Sequence, residues 1–197
     1  FQGQIDIPLN EAGKNQAQKA SNFLKSIDFN KAYSSSMSRP LETAKIILGK
    51  KSNLCILKID ELSEISHGLW EGKLEKEIKT SWPEMLNKWH KEPEKVTMPE
   101  GESIEDVSKR SINAWEIICS KQDNNDNTLV VAHDAVNKTL LCNILGLSYS
   151  KIWTIKQGNG GITIIDIFDD PNKDNVLSAL NITTHLGNIL DSTASGA

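Results

Sequence analysis

The chain has 197 residues, of which 24% are charged and 38% are hydrophobic, and its formal net charge is −4. This length suits a single domain and allows a sizeable buried core to form. An acidic chain without a basic face is not expected to bind nucleic acid. No apolar run approaches the roughly 20 residues that cross a bilayer, so we expect no membrane partner either.

Two residue counts give further expectations. The three cysteines, Cys55, Cys119 and Cys142, are scattered and odd in number, which indicates free thiols in a reducing cytoplasm. Only two of the 22 cationic residues are arginines, Arg39 and Arg110. Because lysine lacks the planar guanidinium fork, each arginine in so lysine-rich a chain calls for a specific role.

The first half of the chain alternates helical and extended patterns. Residues 10–27 carry apolar side chains at helical spacing, with Asn10 as the predicted N-cap. A short strand at 31–33 leads to a helix over 38–48, with Pro40 in its first turn. A second strand is predicted at 54–59, and 61–72 is predicted to be a loop.

The second half continues the alternation. Ser103, with Asp106 three residues later, resembles a capping box at the start of a long helix. The remaining predicted elements are a helical stretch over 73–92 broken at Pro83, a buried strand at 128–132, a helix over 135–145 and a terminal strand pair at 162–168 and 176–182. Strands separated by helices predict a sheet covered on both faces, that is, a three-layer α/β/α sandwich.

His133 ends the buried strand and precedes a helix. Open α/β sheets bind ligands outside the carboxyl ends of their strands, and a helix N-terminus favours an anion. The alternative is a histidine that makes ordinary hydrogen bonds at the strand end.

Arg39 is predicted to lie in the first turn of the helix at 38–48, where a cation opposes the helix dipole. A bound phosphate would explain this position, because the guanidinium matches phosphate oxygens in a bidentate manner. The alternative is a surface ion pair with Glu42.

The loop 61–72 mixes carboxylates with apolar residues and glycines. In such a setting the pKa of a carboxyl group can be raised by burial. Glu64 is the candidate proton donor for phosphate-ester cleavage, although most glutamates are simply solvated.

Together these motifs resemble the histidine phosphatase superfamily, and within it the phosphoglycerate mutase-like branch. The similarity covers essentially the whole chain. The motifs are, in order, Phe1-Gln2-Gly3 with Asp6, Pro8-Leu9, Gly13 and Gln16-Ala17; Arg39 with Glu42-Thr43-Ala44; Glu64-Ile65 with Gly68 and Trp70-Glu71-Gly72; Gly101-Glu102-Ser103; and His133.

The resemblance implies a mostly parallel central sheet and covalent catalysis through a phosphohistidine, without metal or other cofactor. It implies that Arg39 grips the phosphate and His133 stabilises the transferring phosphoryl group. Glu64 would protonate the leaving oxygen and then activate water, while Gln2 and Gly3 would contact the phosphate. We expect one domain over 1–190 and a frayed tail at 191–197.

Two features depart from the family pattern. The nucleophilic histidine of the family lies in an Arg-His-Gly motif on the first strand, and none of the four histidines here has that context. We therefore expect that strand to lie upstream of Phe1 and the present chain by itself to be inactive. Asp134 stands where the family commonly has glycine, and its carboxylate would repel a phosphate unless it faced solvent or capped the helix.

The compact form of the Glu64 motif favours a phosphatase that acts on a small phosphorylated metabolite, such as a sugar phosphate or α-ribazole phosphate. A cofactor-dependent phosphoglycerate mutase is the first alternative. A non-catalytic phosphate-binding module is the second, because the nucleophile is not among the residues of this chain.

Overall fold

A computed structural model describes residues 1–49, 53–170 and 172–187. The expected frayed tail at 191–197 lies outside these residues. The helices and strands are α1 Glu11–Phe23, β1 Lys31–Ser34, α2 Ser38–Leu48, β2 Ile56–Lys58, α3 Glu75–Ser81, α4 Pro83–Lys91, α5 Ile104–Cys119, β3 Thr128–Val131, α6 Asp134–Ile144, β4 Ile162–Asp166 and β5 Val176–Ile182.

Local capping chemistry fixes several helix ends. The Asn10 side chain accepts a hydrogen bond from the Gly13 amide and caps α1. The predicted capping box of Ser103 and Asp106 is present at the start of α5. Gly49 ends α2 with a positive φ of 68°. These ends were predictable because the residues that form each cap lie within a few positions of one another.

Some predicted bounds were wrong. α1 ends at Phe23 rather than at residue 27, because the chain turns there and the Ile27 amide bonds the Leu24 carbonyl. β2 covers only 56–58 instead of 54–59. The predicted break at Pro83 is confirmed, because the stretch 73–92 forms two helices and Pro83 is the first residue of the second.

The main sheet is parallel and has the strand order β2-β1-β3. Ser34 at the end of β1 pairs with Lys58 of β2 and with Val131 of β3. β4 and β5 pair antiparallel as a separate two-stranded sheet. The α/β prediction is confirmed, but the strand ladders of the described residues do not join into one continuous sheet.

Helices cover both faces of the parallel sheet. Ala32 of β1 packs in one apolar cluster with Ala44 of α2. The next residue, Tyr33, points to the opposite face and joins a larger cluster that includes Val107 of α5 and Val136 of α6. This alternation gives the three layers that the sequence predicts.

β3 and β4 both line a large cleft with a volume of about 2760 Å³. α1, α2 and the segment that precedes α1 contribute to the same cleft. Over the described ranges, every helix is too short or too polar to cross a bilayer.

Candidate active site

Three loops meet at one edge of the sheet because the three parallel strands end in register. β1 leads into Ser35, β2 into the loop that carries Glu64, and β3 into His133. Ser36 in the first loop donates a hydrogen bond to Asp60 at the start of the second. The sheet thus brings together residues that are far apart in the sequence, at the edge where parallel sheets bind ligands.

His133 is the N-cap residue of α6 and is partly buried. Its Nε2 lies 3.1 Å from the Ser35 Oγ, which follows β1. Burial, together with the cationic Arg39 and Arg110, lowers the pKa of His133 to about 3. The imidazole is therefore neutral near pH 7 and can offer a hydrogen bond to a ligand.

The Glu64 carboxyl group lies against the N-terminus of α6. Its Oε1 accepts a hydrogen bond of 2.9 Å from the Ile65 amide, and its Oε2 lies 3.5 Å from the Ala135 amide. Burial raises the pKa of Glu64 to about 7, and the nearby Asp134 carboxylate acts in the same direction. A group with this pKa can donate a proton near neutral pH and take one back in a later step.

Arg39 lies in the first turn of α2, as predicted. Its Nη1 donates to the Ile5 and Ile7 carbonyls at 3.0 and 3.2 Å. Within the described residues no ion pair joins it to Glu42, which was the alternative considered for this arginine. Arg39 therefore ties the N-terminal segment to the edge of the sheet where His133 lies.

Gln2 and Gly3 line the same cleft as Arg39, Glu64 and His133. Gln2 is exposed, whereas Gly3 is buried and has a φ of 53°. A Cβ atom on Gly3 would lie 2.2 Å from the Glu71 Oε1. Only glycine fits there without movement, so Gly3 lets the backbone approach Glu71.

The Asp134 carboxylate does not cap α6 among the described residues, and its side chain is only 33% exposed. Its Oδ2 accepts a hydrogen bond of 2.8 Å from Lys138 one turn later in α6, while its Oδ1 is buried and has no hydrogen-bond partner among the described residues. Lys138 also lies 5.2 Å from the ring centre of Trp153. Burial raises the pKa of Asp134. The Lys138 cation offsets the charge that would otherwise repel a phosphate.

The other three histidines lie outside the Ser35–His133 contact. His67 is buried against Phe1 and Trp89, and burial lowers its pKa to about 4. His185 bonds the Gly160 carbonyl, and His90 lies 4.0 Å from Glu75. In the part of the chain that the structure describes, no three His, Cys, Asp or Glu side chains form a group that could hold a metal ion.

Sequence reasoning singled out Arg110 as one of two arginines but assigned it no role. In the structure it bonds Glu102 and three backbone carbonyls of the loop that carries Glu64. Ser35, the partner of His133, was missed entirely. Its only signal was its position directly after a predicted strand, which it shares with many serines.

Comparison with known proteins identifies the family of the chain. The family model described as histidine phosphatase superfamily (branch 1) matches residues 1–181. The chain belongs to the histidine phosphatase superfamily. It is therefore a member of an enzyme family, and the relatives described next include two named phosphatases.

Among these superfamily relatives, phosphoserine phosphatase 1 of Hydrogenobacter thermophilus is 34% identical, over 95% of this chain and 86% of its own length. The structure of Bacillus stearothermophilus YhfR superposes with a TM-score of 0.88 at 27% identity, covering 94% of this chain and 90% of that one. A mutant phosphoserine phosphatase from Entamoeba histolytica, solved in complex with phosphoserine, has a TM-score of 0.79 at 31% identity and covers 94% and 90%.

Proposed function

We propose that this chain forms most of a phosphomonoester hydrolase that acts on a small phosphorylated metabolite through a phosphohistidine intermediate. The observation that supports the proposal is that Arg39, Glu64 and His133 line one cleft, and that Arg39 lies near enough to His133 to lower its pKa. Two of these residues have pKa values moved by burial in opposite directions, as is common at catalytic sites. A carboxyl group with a pKa of about 7 is the proton donor that ester cleavage needs.

We propose further that the nucleophilic histidine lies on a strand upstream of Phe1. Of the four histidines present, only His67 is followed by glycine, and it is preceded by Ser66 rather than by arginine. The cleft lined by β3 and β4 has the volume to take an extended segment. A strand parallel to β3 would end at the edge where Phe1 lies against the Glu64 loop, since the Gly72 amide bonds the Phe1 carbonyl.

In the proposed reaction, a nitrogen of that histidine attacks phosphorus while the bond to the leaving oxygen breaks. Glu64 gives its proton to the departing alkoxide. A water molecule then attacks the phosphorus of the phosphohistidine and passes a proton to the Glu64 carboxylate. The phosphorus–nitrogen bond breaks, phosphate is released, and the histidine and the protonated Glu64 are restored. Arg39 and His133 would stabilise the charge on the phosphoryl oxygens throughout.

Phosphoserine is the first substrate to test, because two of the relatives are named for it. A sugar phosphate or α-ribazole phosphate remains a second choice. We propose a cytoplasmic location, because the three cysteines are scattered and odd in number, which suits a reducing compartment.

The first experiment measures hydrolysis of phosphoserine and p-nitrophenyl phosphate by a protein extended at the N-terminus by its natural upstream sequence. We expect turnover that persists in a chelator, whereas residues 1–197 alone should show only the background rate. If 3-phosphoglycerate yields 2-phosphoglycerate rather than free phosphate, the result would favour a phosphoglycerate mutase. Phosphate binding without turnover by the extended protein would favour the binding module.

The second experiment tests the proton donor in the extended protein. Glu64→Gln should slow phosphoserine hydrolysis far more than hydrolysis of p-nitrophenyl phosphate, whose leaving group needs little protonation. Glu61→Gln removes a carboxylate from the same loop and should change neither rate appreciably. If Glu64→Gln slows hydrolysis of both substrates equally, Glu64 is not the proton donor. Glu61 and Glu71 would then be the next candidates to test.

The third experiment tests the phosphate contacts. His133→Ala and Arg39→Ala should each lower kcat/KM by about 100-fold or more, because each removes a group that stabilises charge in the transition state. Arg39→Lys should recover only part of the loss, since lysine keeps the charge but not the bidentate fork. Wild-type rates in either alanine variant would contradict the site.

A further inference from the structure

Arg110 of α5 packs against the loop that carries Glu64 and makes five hydrogen bonds with described residues. Two of them join its Nε and Nη2 to the Glu102 carboxylate at 2.7 and 2.9 Å. The other three reach backbone carbonyls of the loop. They run from Nη1 to Glu61 and Ser63 at 2.8 and 2.5 Å, and from Nη2 to Glu64 at 3.0 Å.

Glu102, the ion-pair partner of Arg110, also bonds the backbone of this loop. Its Oε2 accepts a hydrogen bond of 2.8 Å from the Ser66 amide, and its own amide donates to the Ser66 carbonyl at 2.9 Å. The side chains of Arg110 and Glu102 are only 18% and 22% exposed. Screening by solvent is therefore reduced, and the geometry of the pair is fixed by several simultaneous bonds.

These contacts fix the backbone on both sides of the proposed acid. The Glu64 carbonyl accepts from Arg110 and also from Gln4 Nε2 at 2.9 Å. With the carbonyl held in this way, the side chain of Glu64 leaves the loop toward the amides of Ile65 and Ala135. A lysine at position 110 would keep the charge but could not hold two carboxylate oxygens and three carbonyls at once.

We propose that Arg110 and Glu102 form a positioning pair that holds the Glu64 carboxyl group in place for proton transfer without touching the substrate. The kinetic part of this inference rests on the proposed function. The structural part, a loop held by Arg110, does not. Small errors in the position of an acid reduce its rate of proton transfer steeply, so loss of the guanidinium fork should act through Glu64.

Hydrogen exchange tests the structural part on the 197-residue chain. In Arg110→Lys, amides of residues 61–66 should exchange at least 10-fold faster, while those of α1 and α2 keep their rates. Lys109→Met is the matched control, because Lys109 pairs with Glu105 on the exposed face of α5. Unchanged exchange at 61–66 in Arg110→Lys would overturn the inference. If Arg110→Lys does not fold, Glu102→Gln is measured instead, and the amides of residues 61–66 should again exchange faster.

A double-mutant cycle tests the kinetic part in the extended protein. Arg110→Lys should lower kcat for phosphoserine at least 10-fold, with less than a threefold effect on p-nitrophenyl phosphate and on either KM. In a Glu64→Gln background, the same substitution should have little further effect. Equal slowing of both substrates, or full additivity with Glu64→Gln, would show a general structural role and overturn the inference.

The two proposals fail in different ways. If the wild-type extended protein hydrolyses neither substrate, the proposed function fails, and hydrogen exchange still decides whether Arg110 holds the loop. If the wild type is active but Arg110→Lys slows both substrates equally, the proposed function stands and the positioning role is rejected.

Discussion

At the scale of single residues, burial sets the protonation states of the site. It raises the pKa of Glu64 to about 7 and lowers the pKa of His133 to about 3, so both groups favour their neutral forms. A bound phosphate dianion would raise the pKa of both groups through its negative charge. It would thereby keep Glu64 protonated and favour a hydrogen bond donated by the His133 imidazole to the phosphate.

The Glu64 pKa predicts a pH-dependent difference in stability between the wild type and Glu64→Gln. The folded-state pKa of Glu64 is raised above the ordinary value of 4.5. The contribution of Glu64 to the stability of the fold is therefore fully present below pH 4.5 and is lost as the pH rises through 7. Urea unfolding measures this difference at pH 5 and at pH 8. Between these two pH values the free energy of unfolding of the wild type should fall by about 1 kcal/mol or more relative to that of the variant.

This comparison also controls for the buried histidines. The pKa values of His67 and His133 are lowered, so both contribute stability above about pH 6.5 that is lost as the pH falls toward 4 and 3. Both proteins contain them, and their effect cancels in the difference. A difference that stays flat from pH 5 to pH 8 would mean that the pKa of Glu64 is not raised.

At the scale of elements, the segment that precedes α1 has no regular secondary structure and is held by side chains. Asp6 accepts hydrogen bonds from the amide and the hydroxyl of Ser38 at 2.8 and 2.7 Å. Glu71 accepts from the amides of Gln4 and His67 at 2.9 and 3.0 Å. Long-range polar contacts therefore place Gln2 and Gly3 at the cleft. Helix or strand propensity could not predict this position, because the segment forms neither element.

Gly3→Ala should disturb this segment more than an equivalent substitution elsewhere. Gly3 and Gly146 both have positive φ values, 53° and 62°, but a Cβ on Gly3 would collide with Glu71, whereas one on Gly146 meets nothing within 4 Å. Gly146→Ala should cost about 1 kcal/mol from backbone strain. Gly3→Ala should cost about 1–3 kcal/mol more.

Urea unfolding of the two alanine variants measures this difference. The Gly3→Ala cost should shrink in a Glu71→Ala background, because the colliding carboxylate is then removed. Equal destabilisation by Gly3→Ala and Gly146→Ala would contradict the close packing of Gly3 against Glu71.

At the scale of the whole molecule, the parallel sheet and the antiparallel pair lie on either side of the large cleft. Each sheet presents strand residues to it, including Val130 of β3 and Ile164 of β4. Under the proposed function, a strand from upstream of Phe1 would pair with these edges and carry the nucleophile. Stability and catalysis would then depend on the same segment.

We therefore expect the extended protein to melt several degrees higher than residues 1–197, because strand edges would gain hydrogen-bond partners. The control is residues 1–197 preceded by a Gly/Ser segment of equal length, which should not raise Tm. Equal melting temperatures for the natural and the Gly/Ser extensions would argue against a strand in the cleft.

Local features were predictable from the sequence. The caps at Asn10 and Ser103, the helix start at Pro83 and the end of α2 at Gly49 each depend on residues within about four positions. The order of the motifs was sufficient to indicate the family. Alternating strands and helices were sufficient to predict the layered fold.

Tertiary structure alone decided how the site is held and charged. The bond from Arg110 to the Glu64 carbonyl spans 46 residues, and the contact between His133 and Ser35 spans 98. The ion pair of Asp134 with Lys138 is local, but its burial is not. Burial and long-range hydrogen bonds depend on which distant segments the fold brings together, and they set the pKa values on which the proposed chemistry rests.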